Sequence, residues 1–92
     1  MDEKRKAEIV RQLATLQAEL HELTRTNEDE AKTISGFAEL SAHEATRPKP
    51  RPELLRLSVT GLRKSVQEFE QTHPRLVELV GSLSALLSSI GA

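Results

Sequence analysis

The sequence predicts an all-α fold, a helical hairpin or small helix bundle that turns its corner at a proline-rich stretch, residues 47–52. Three observations carry this. Apolar residues repeat at heptad spacing in each half of the chain. Alternating prolines separate the halves, and the halves differ in charge. Residues 1–46 hold 6 basic and 10 acidic side chains and residues 47–92 hold 7 and 4, so balances of −4 and +3 lie behind a net −1. Opposite signs draw the halves together, within a chain or between chains.

In the first half, Ile9, Leu13, Leu16, Leu20 and Leu23 are spaced 4, 3, 4, 3, one stripe of a helix over 3–24. The count stays in phase through Asn27, Glu30, Ile34, Phe37 and Ser41, but it stops being apolar at 27 and 30. Asn27 with Glu30 three residues on has the form of a capping box, and Asp29 falls in a first turn that favours acids. The reading is a tight turn near 24–28 and a second helix over 28–45. One long helix is the alternative that the unbroken phase leaves open.

The corner is Arg47-Pro48-Lys49-Pro50-Arg51-Pro52. Each proline removes an amide donor and holds its predecessor extended, so no helix crosses and all three prolines are expected outside any helix. Such a segment is short and stiff.

The second half is more regular. Leu55, Val59, Leu62, Val66, Phe69, His73, Leu76, Val80, Leu83, Leu87 and Ile90 keep 4-3 spacing without a slip. This predicts helices over 53–71 and 74–90. Pro74 either kinks one long helix or opens a new one, because a proline is tolerated in a helix's first turn.

Ninety-two residues make one domain at most, here 1–92 with an N-terminal helical half (1–46), a linker (47–52) and a C-terminal helical half (53–92). A chain this short buries only about 60–65% of its unfolded surface. Two phenylalanines and no tryptophan, tyrosine or cysteine leave the core to aliphatic residues. Disulfides and thiolate metal sites are excluded, and oligomerisation is the remaining source of stability. The charged start Met1-Asp2-Glu3-Lys4-Arg5-Lys6 lacks an apolar signal core. The stretch from Leu76 to Ala92, with Glu78 and four serines, is too short for a membrane span of about 20 residues. The expectation is a soluble, cytoplasmic chain.

Ser65-Val66, Phe69-Glu70, His73-Pro74 and Leu76, followed by a helix ending at Ile90-Gly91, resemble the C-terminal signature of a family of short, uncharacterised bacterial helical proteins, a domain of unknown function. The resemblance spans nearly the full length, with residues 65–91 its distinctive part. The proline-rich linker and the ending Ser89-Ile90-Gly91-Ala92 depart from it. It implies a small helical architecture and transfers no catalytic residue.

No motif for chemistry stands out. His21 and His43 lie off the seams, are each followed by glutamate, and make no His-Glu-x-x-His pattern. His73 occupies a seam position, as a junction residue beside Pro74 or as a register-setting, pH-sensitive contact. Glu28-Asp29-Glu30 point in different directions around a helix, which suits a helix start and not an acid–base pair. Gly36, Gly61, Gly81 and Gly91 are isolated and form no phosphate loop. Arg47, Lys49, Arg51 and Arg56 make a basic linker patch, but no aromatic accompanies it, so it reads as a solvated linker and not as a nucleic-acid site. No catalytic residue, cofactor or metal is expected.

The expected function is therefore interaction, as a homo-oligomer or with a protein partner. The interface residues are Val66, Phe69, His73, Leu76, Val80, Leu83, Leu87 and Ile90, on a C-terminal helix with almost no charge after Glu78. Membrane-surface association through that helix is the alternative, disfavoured by a polar face poor in Lys and Arg. A last expectation joins the halves. Asn27 and His73 lie at similar distances from the corner and, in an antiparallel pairing, would share a polar layer, bonded directly or through one water, in the same chain or across an oligomer; the other reading is that both occupy solvent-exposed joints.

Overall fold

The stripe of the first half becomes the buried side of a helix in the computed structural model, which describes residues 3–91. Helix α1 (Glu3–Thr24) buries Ile9, Leu16, Leu20 and Leu23. It closes with the amides of Thr26 and Asn27 donating to the Leu23 carbonyl at 3.1 and 2.8 Å. Helix α2 (Glu28–Ala45) follows with Asn27 as its N-cap and three acids in its first turn, beside amides that favour negative charge. The expected capping box does not form. Asn27 sits at φ −137°, ψ 63°, and makes no side-chain cap bond. Its Oδ1 instead accepts from Thr26 Oγ1 at 2.9 Å.

Helix α2 ends at Ala45 and is capped by Thr46, whose amide and hydroxyl both donate to the Ala42 carbonyl, at 3.1 and 2.8 Å. Pro48 and Pro50 lie outside any helix. Pro52 does not; it opens helix α3 (Pro52–Ser65), which corrects the expectation for all three prolines. A proline at the first helical position has no needed amide to lose, and the Arg51 carbonyl accepts the first bond from Leu55 at 3.0 Å.

Helix α3 stops at Ser65 rather than 71, and a 3-10 turn spans Gln67–Phe69. Val66 and Phe69 are both buried on either side of this change. Residues three apart eclipse in a 3-10 turn, so the apolar side stays inward while the α-helix ends. Pro74 then starts a separate helix α4 (Pro74–Gly91), and the His73 carbonyl accepts from Val77 at 3.3 Å. The break is complete.

Side-chain contacts fix the direction of each helix. Gln17 of α1 donates to Glu39 of α2 at 3.1 Å, and Leu20 and Thr24 lie beside Ala31 and Ser35. Phe37 of α2 covers Gly61 of α3, while Glu44 reaches Arg51. Glu19 of α1 pairs with Arg75 of α4 at 3.2 Å, and Thr15 sits beside Leu79. Each helix thus runs antiparallel to the next, and α4 returns alongside α1: an up-down-up-down bundle. Helices α2 and α4 also touch across the bundle. The body measures 37 × 23 × 18 Å over its Cα atoms.

One buried cluster fills the centre. Helix α2 supplies Ala31, Ala38, Ala42 and Ala45 beside Ile34, and Leu16, Leu62, Leu83 and Leu87 of the other helices belong to the same cluster. Among the described residues three ion pairs join residues 1–46 to residues 47–92: Glu44–Arg47 and Glu44–Arg51 reach the linker and Glu19–Arg75 reaches the C-terminal half. In each, the acid comes from the first half and the base from the second, the direction that the charge balance favours.

Candidate association surface

Of the leucines that lie outside both heptad seams, Leu79 and Leu86 are partly buried and three others face water. Leu40 is 48% exposed, Leu54 42% and Leu57 67%. Their positions follow from one contact. The Phe37 ring lies over Gly61, so close that a Cβ on Gly61 would clash with the edge of the ring. Leu40 is one turn beyond Phe37 on α2. Leu57 is one turn before Gly61 on α3, and Leu54 is a further three residues back. Residues three and four apart share a helix face. The antiparallel pairing therefore gathers Phe37, Leu40, Leu54 and Leu57 on the outer side of the α2–α3 seam. Clustered exposed apolar residues mark contact surfaces, whereas single ones do not.

The two ends of this face differ in charge. At the linker end, Glu44 is only 1% exposed and is held by two arginines. Arg51 Nε and Nη2 donate to its Oε1 and Oε2 at 3.0 and 2.5 Å, and Arg47 Nη1 donates to Oε2 at 3.4 Å. The fork of Arg51 matches both carboxylate oxygens, the strongest form of such a pair. The Arg51 hydrogen bonds hold the Glu44 carboxyl below the usual carboxylate range against the opposing effect of burial, and the Arg47 charge adds to them. The linker is thus not a string of solvated bases. Arg47 and Arg51 turn back to pin the corner, while Lys49 stays exposed.

The opposite end holds a shallow groove of about 300 Å³ lined by Asp29, Glu30 and Thr33 of α2 and by Lys64, Ser65 and Glu68. Three acids stand there against one base. Among the described residues, no group of three or more His, Cys, Asp or Glu side chains is placed to hold a metal ion. His21 and His43 are exposed, on α1 and α2. Among the described residues, no helix is long and apolar enough to cross a membrane.

The residues expected at an interface lie elsewhere. Val66, Phe69, Leu76, Val80, Leu83 and Leu87 are buried inside the chain's own bundle, and His73 and Ile90 are partly buried. His73 packs edge-on against Phe69, with ring centroids 5.3 Å apart, and its Nδ1 hydrogen-bonds Thr72 Oγ1 at 2.9 Å. Asn27 lies at the same end of the bundle, where α1 meets α2. Asn27 and His73 each bond to the threonine that precedes them, and no direct hydrogen bond joins the two within the chain.

A family model described as Domain of unknown function (DUF4404) matches residues 9–92. The chain belongs to this family. No curated protein and no solved structure matches it. In this DUF4404 chain the stretch from Ser65 to Leu76 builds a corner: the Ser65 hydroxyl donates to the Leu62 carbonyl at 2.7 Å, Phe69 plugs the core, and Pro74 begins α4. Sequence reasoning missed the three exposed leucines and Glu44. Leu54 and Leu57 had a signal, an amphipathic α3 with apolar residues outside its stripe. Glu44 had one too, as the acid just before Arg47 and Arg51 in a stretch otherwise read as basic.

Proposed function

We propose that this DUF4404 protein is a non-catalytic helical module that self-associates or binds a protein partner through the outer α2–α3 face. The observation that carries this is the exposure of Leu40, Leu54 and Leu57 together, beside a half-buried Phe37. Fully burying a leucine stabilises by about 1.5–3 kcal/mol, so three leucines in water are three contacts not yet made. A cytoplasmic setting and the absence of any cofactor belong to the same proposal. Nucleic acid has little to bind at the linker, since Glu44 occupies Arg47 and Arg51. The membrane-surface alternative would need the apolar stripe of α4, and Leu76, Val80, Leu83 and Leu87 face the core.

Carbene footprinting of the full chain tests the proposal. Labelling is compared between dilute purified protein and concentrated protein, and again in host lysate. The expected result is protection at Phe37, Leu40, Leu54 and Leu57 in at least one concentrated or lysate sample, with α1 labelled equally throughout. Equal labelling of the α2–α3 face under every condition would remove the proposal.

A further inference from the structure

We infer that the occupant of the α2–α3 face is a second copy of this chain, packed antiparallel about a twofold axis near Leu40 and Leu57. The linker of each copy, with its unpaired Lys49, then enters the acid-rimmed groove of the other. This deepens the association reading and rests on it.

Charge along the face selects the arrangement. One end presents Arg47, Lys49 and Arg51 around a single buried Glu44, with exposed Glu53 one residue into α3. The other presents Asp29, Glu30 and Glu68 around Lys64. Among the described residues Lys49, Asp29, Glu30 and Glu68 have no ion-pair partner. Two copies packed parallel would set acid on acid and base on base. Packed antiparallel, they set each base-rich end on an acidic groove, twice per dimer by symmetry.

Spacing agrees with charge. Seven residues separate Leu40 from Arg47 and seven separate it from Thr33, which lines the groove. On α3 the same count leads from Leu57 forward to Lys64 and back to Pro50. At 1.5 Å per residue, linker and groove lie about 10 Å to either side of the leucines. A twofold axis through the apolar centre therefore carries the linker onto the groove without any shift along the helices. The apolar residues of the two copies meet at that axis. The size also fits: a standard interface covers about 800 Å² per partner, and one side of a 37 × 23 × 18 Å body offers an area of that order.

The test uses the full chain. Sedimentation equilibrium from micromolar to millimolar concentration reads the assembly, and circular dichroism confirms that each variant keeps its helices. A zero-length carbodiimide cross-linker applied to mixed isotope-labelled and unlabelled chains reads the pairing. The expected result is a dimer whose inter-chain cross-links join Lys49 of one copy to Asp29, Glu30 or Glu68 of the other. Leu57→Asp should weaken it by about 100-fold or more, because a carboxylate would be buried unpaired. Lys49→Glu should weaken it about tenfold, and adding Glu68→Lys should restore most of that loss. A dimer that Leu57→Asp breaks but that shows neither these cross-links nor the charge rescue overturns the antiparallel pairing and leaves the association face standing. A wild-type chain that stays monomeric to millimolar concentration overturns the second copy as occupant, and footprinting in lysate then decides the face by itself. A dimer indifferent to Leu57→Asp overturns both.

Discussion

Helix α4 and the outer α2–α3 face are both rich in aliphatic side chains, and they are used in opposite ways. On α4, Leu76, Val80, Leu83 and Leu87 follow one 4-3 stripe and are buried by the chain's own helices. On α2 and α3, Leu40, Leu54 and Leu57 stand off the stripe and remain in water. The difference is one of phase, not of composition. A helix in a four-helix bundle has one side covered on either flank by neighbours, and a residue some 100° or more from the centre of that side cannot be reached by them. Helix α4 has few charges because its partly buried flank meets α1 and α3, where Leu79 and Val77 lie. An uncharged helix is therefore weaker evidence of an interface than an apolar residue in the wrong phase.

The largest effect expected from this contrast is at Leu83, which is fully buried. Leu83→Asp leaves an unpaired carboxylate in the core, a loss of several kcal/mol. A chain of 92 residues has about 5–14 kcal/mol of stability at most, so this substitution removes most of the helical signal in circular dichroism at ambient temperature. A folded Leu83→Asp protein would mean that α4 is not the centre of the bundle.

Much of this architecture was legible before any coordinates. The stripe from Ile9 to Leu23 and its lapse at Asn27 located α1 and the start of α2, because a helix that must bury one face stops repeating where the chain turns. The prolines located the corner for a similarly local reason. The end of α3 was not legible, since Val66 and Phe69 keep helical spacing through a 3-10 turn. The candidate face was legible only in part, as apolar residues outside the stripe of α3 whose exposure the spacing does not reveal. A search for periodicity collects residues that are in phase, and Leu40, Leu54 and Leu57 matter because they are not. Glu44 stands out in the sequence as an acid before two arginines, but its pairing follows only from the corner that brings Arg51, seven residues on, back against it.

The corner separates the two regions by chemistry as well, which gives the next effect in size. Glu44 is held below the usual carboxylate range, chiefly by the Arg51 hydrogen bonds. Its folded value lies below its unfolded value of about 4.3, so the folded state binds this proton less readily than the unfolded state. The stabilisation is complete above that pH and is lost as pH falls through the folded value. Glu44→Gln should therefore melt below the wild type at neutral pH, and the gap should narrow steadily as the pH drops under about 4. The Glu8 carboxyl, brought to about 2 mainly by its hydrogen bond with Arg11, belongs to an exposed pair on α1 and contributes little to this slope. A gap that stays constant from pH 7 to about pH 3 would show that Glu44 acts through packing and not through its charge.

A smaller effect sharpens the account of α4. Ser84 is fully buried and its hydroxyl has no hydrogen-bond partner among the described residues. Ser41 and Ser58, equally buried, donate to the carbonyls of Phe37 and Leu55. Ser84→Ala removes an unsatisfied group and improves helix propensity, a gain of about 1 kcal/mol. Ser41→Ala and Ser58→Ala give up a hydrogen bond and gain less. Chemical denaturation of the three variants ranks them, and a destabilised Ser84→Ala would mean that its hydroxyl has a partner in solution.

The smallest expected change in stability is at Leu57, and it bears most directly on the contrast. Leu57 is 67% exposed, so Leu57→Asp removes little buried area from the bundle. It leaves the Phe37 ring over Gly61 untouched and lies away from the corner held by Glu44. Aspartate is a poorer helix former than leucine by about 0.5 kcal/mol, and surface substitutions usually fall within that range. At concentrations where the chain is monomeric, Leu57→Asp should therefore denature within about 0.5 kcal/mol of the wild type. Measured at rising concentration, the two should diverge, because association stabilises only the wild type by mass action. A loss of more than about 2 kcal/mol in the dilute monomer would place Leu57 among the packed residues and erase the distinction between the two faces.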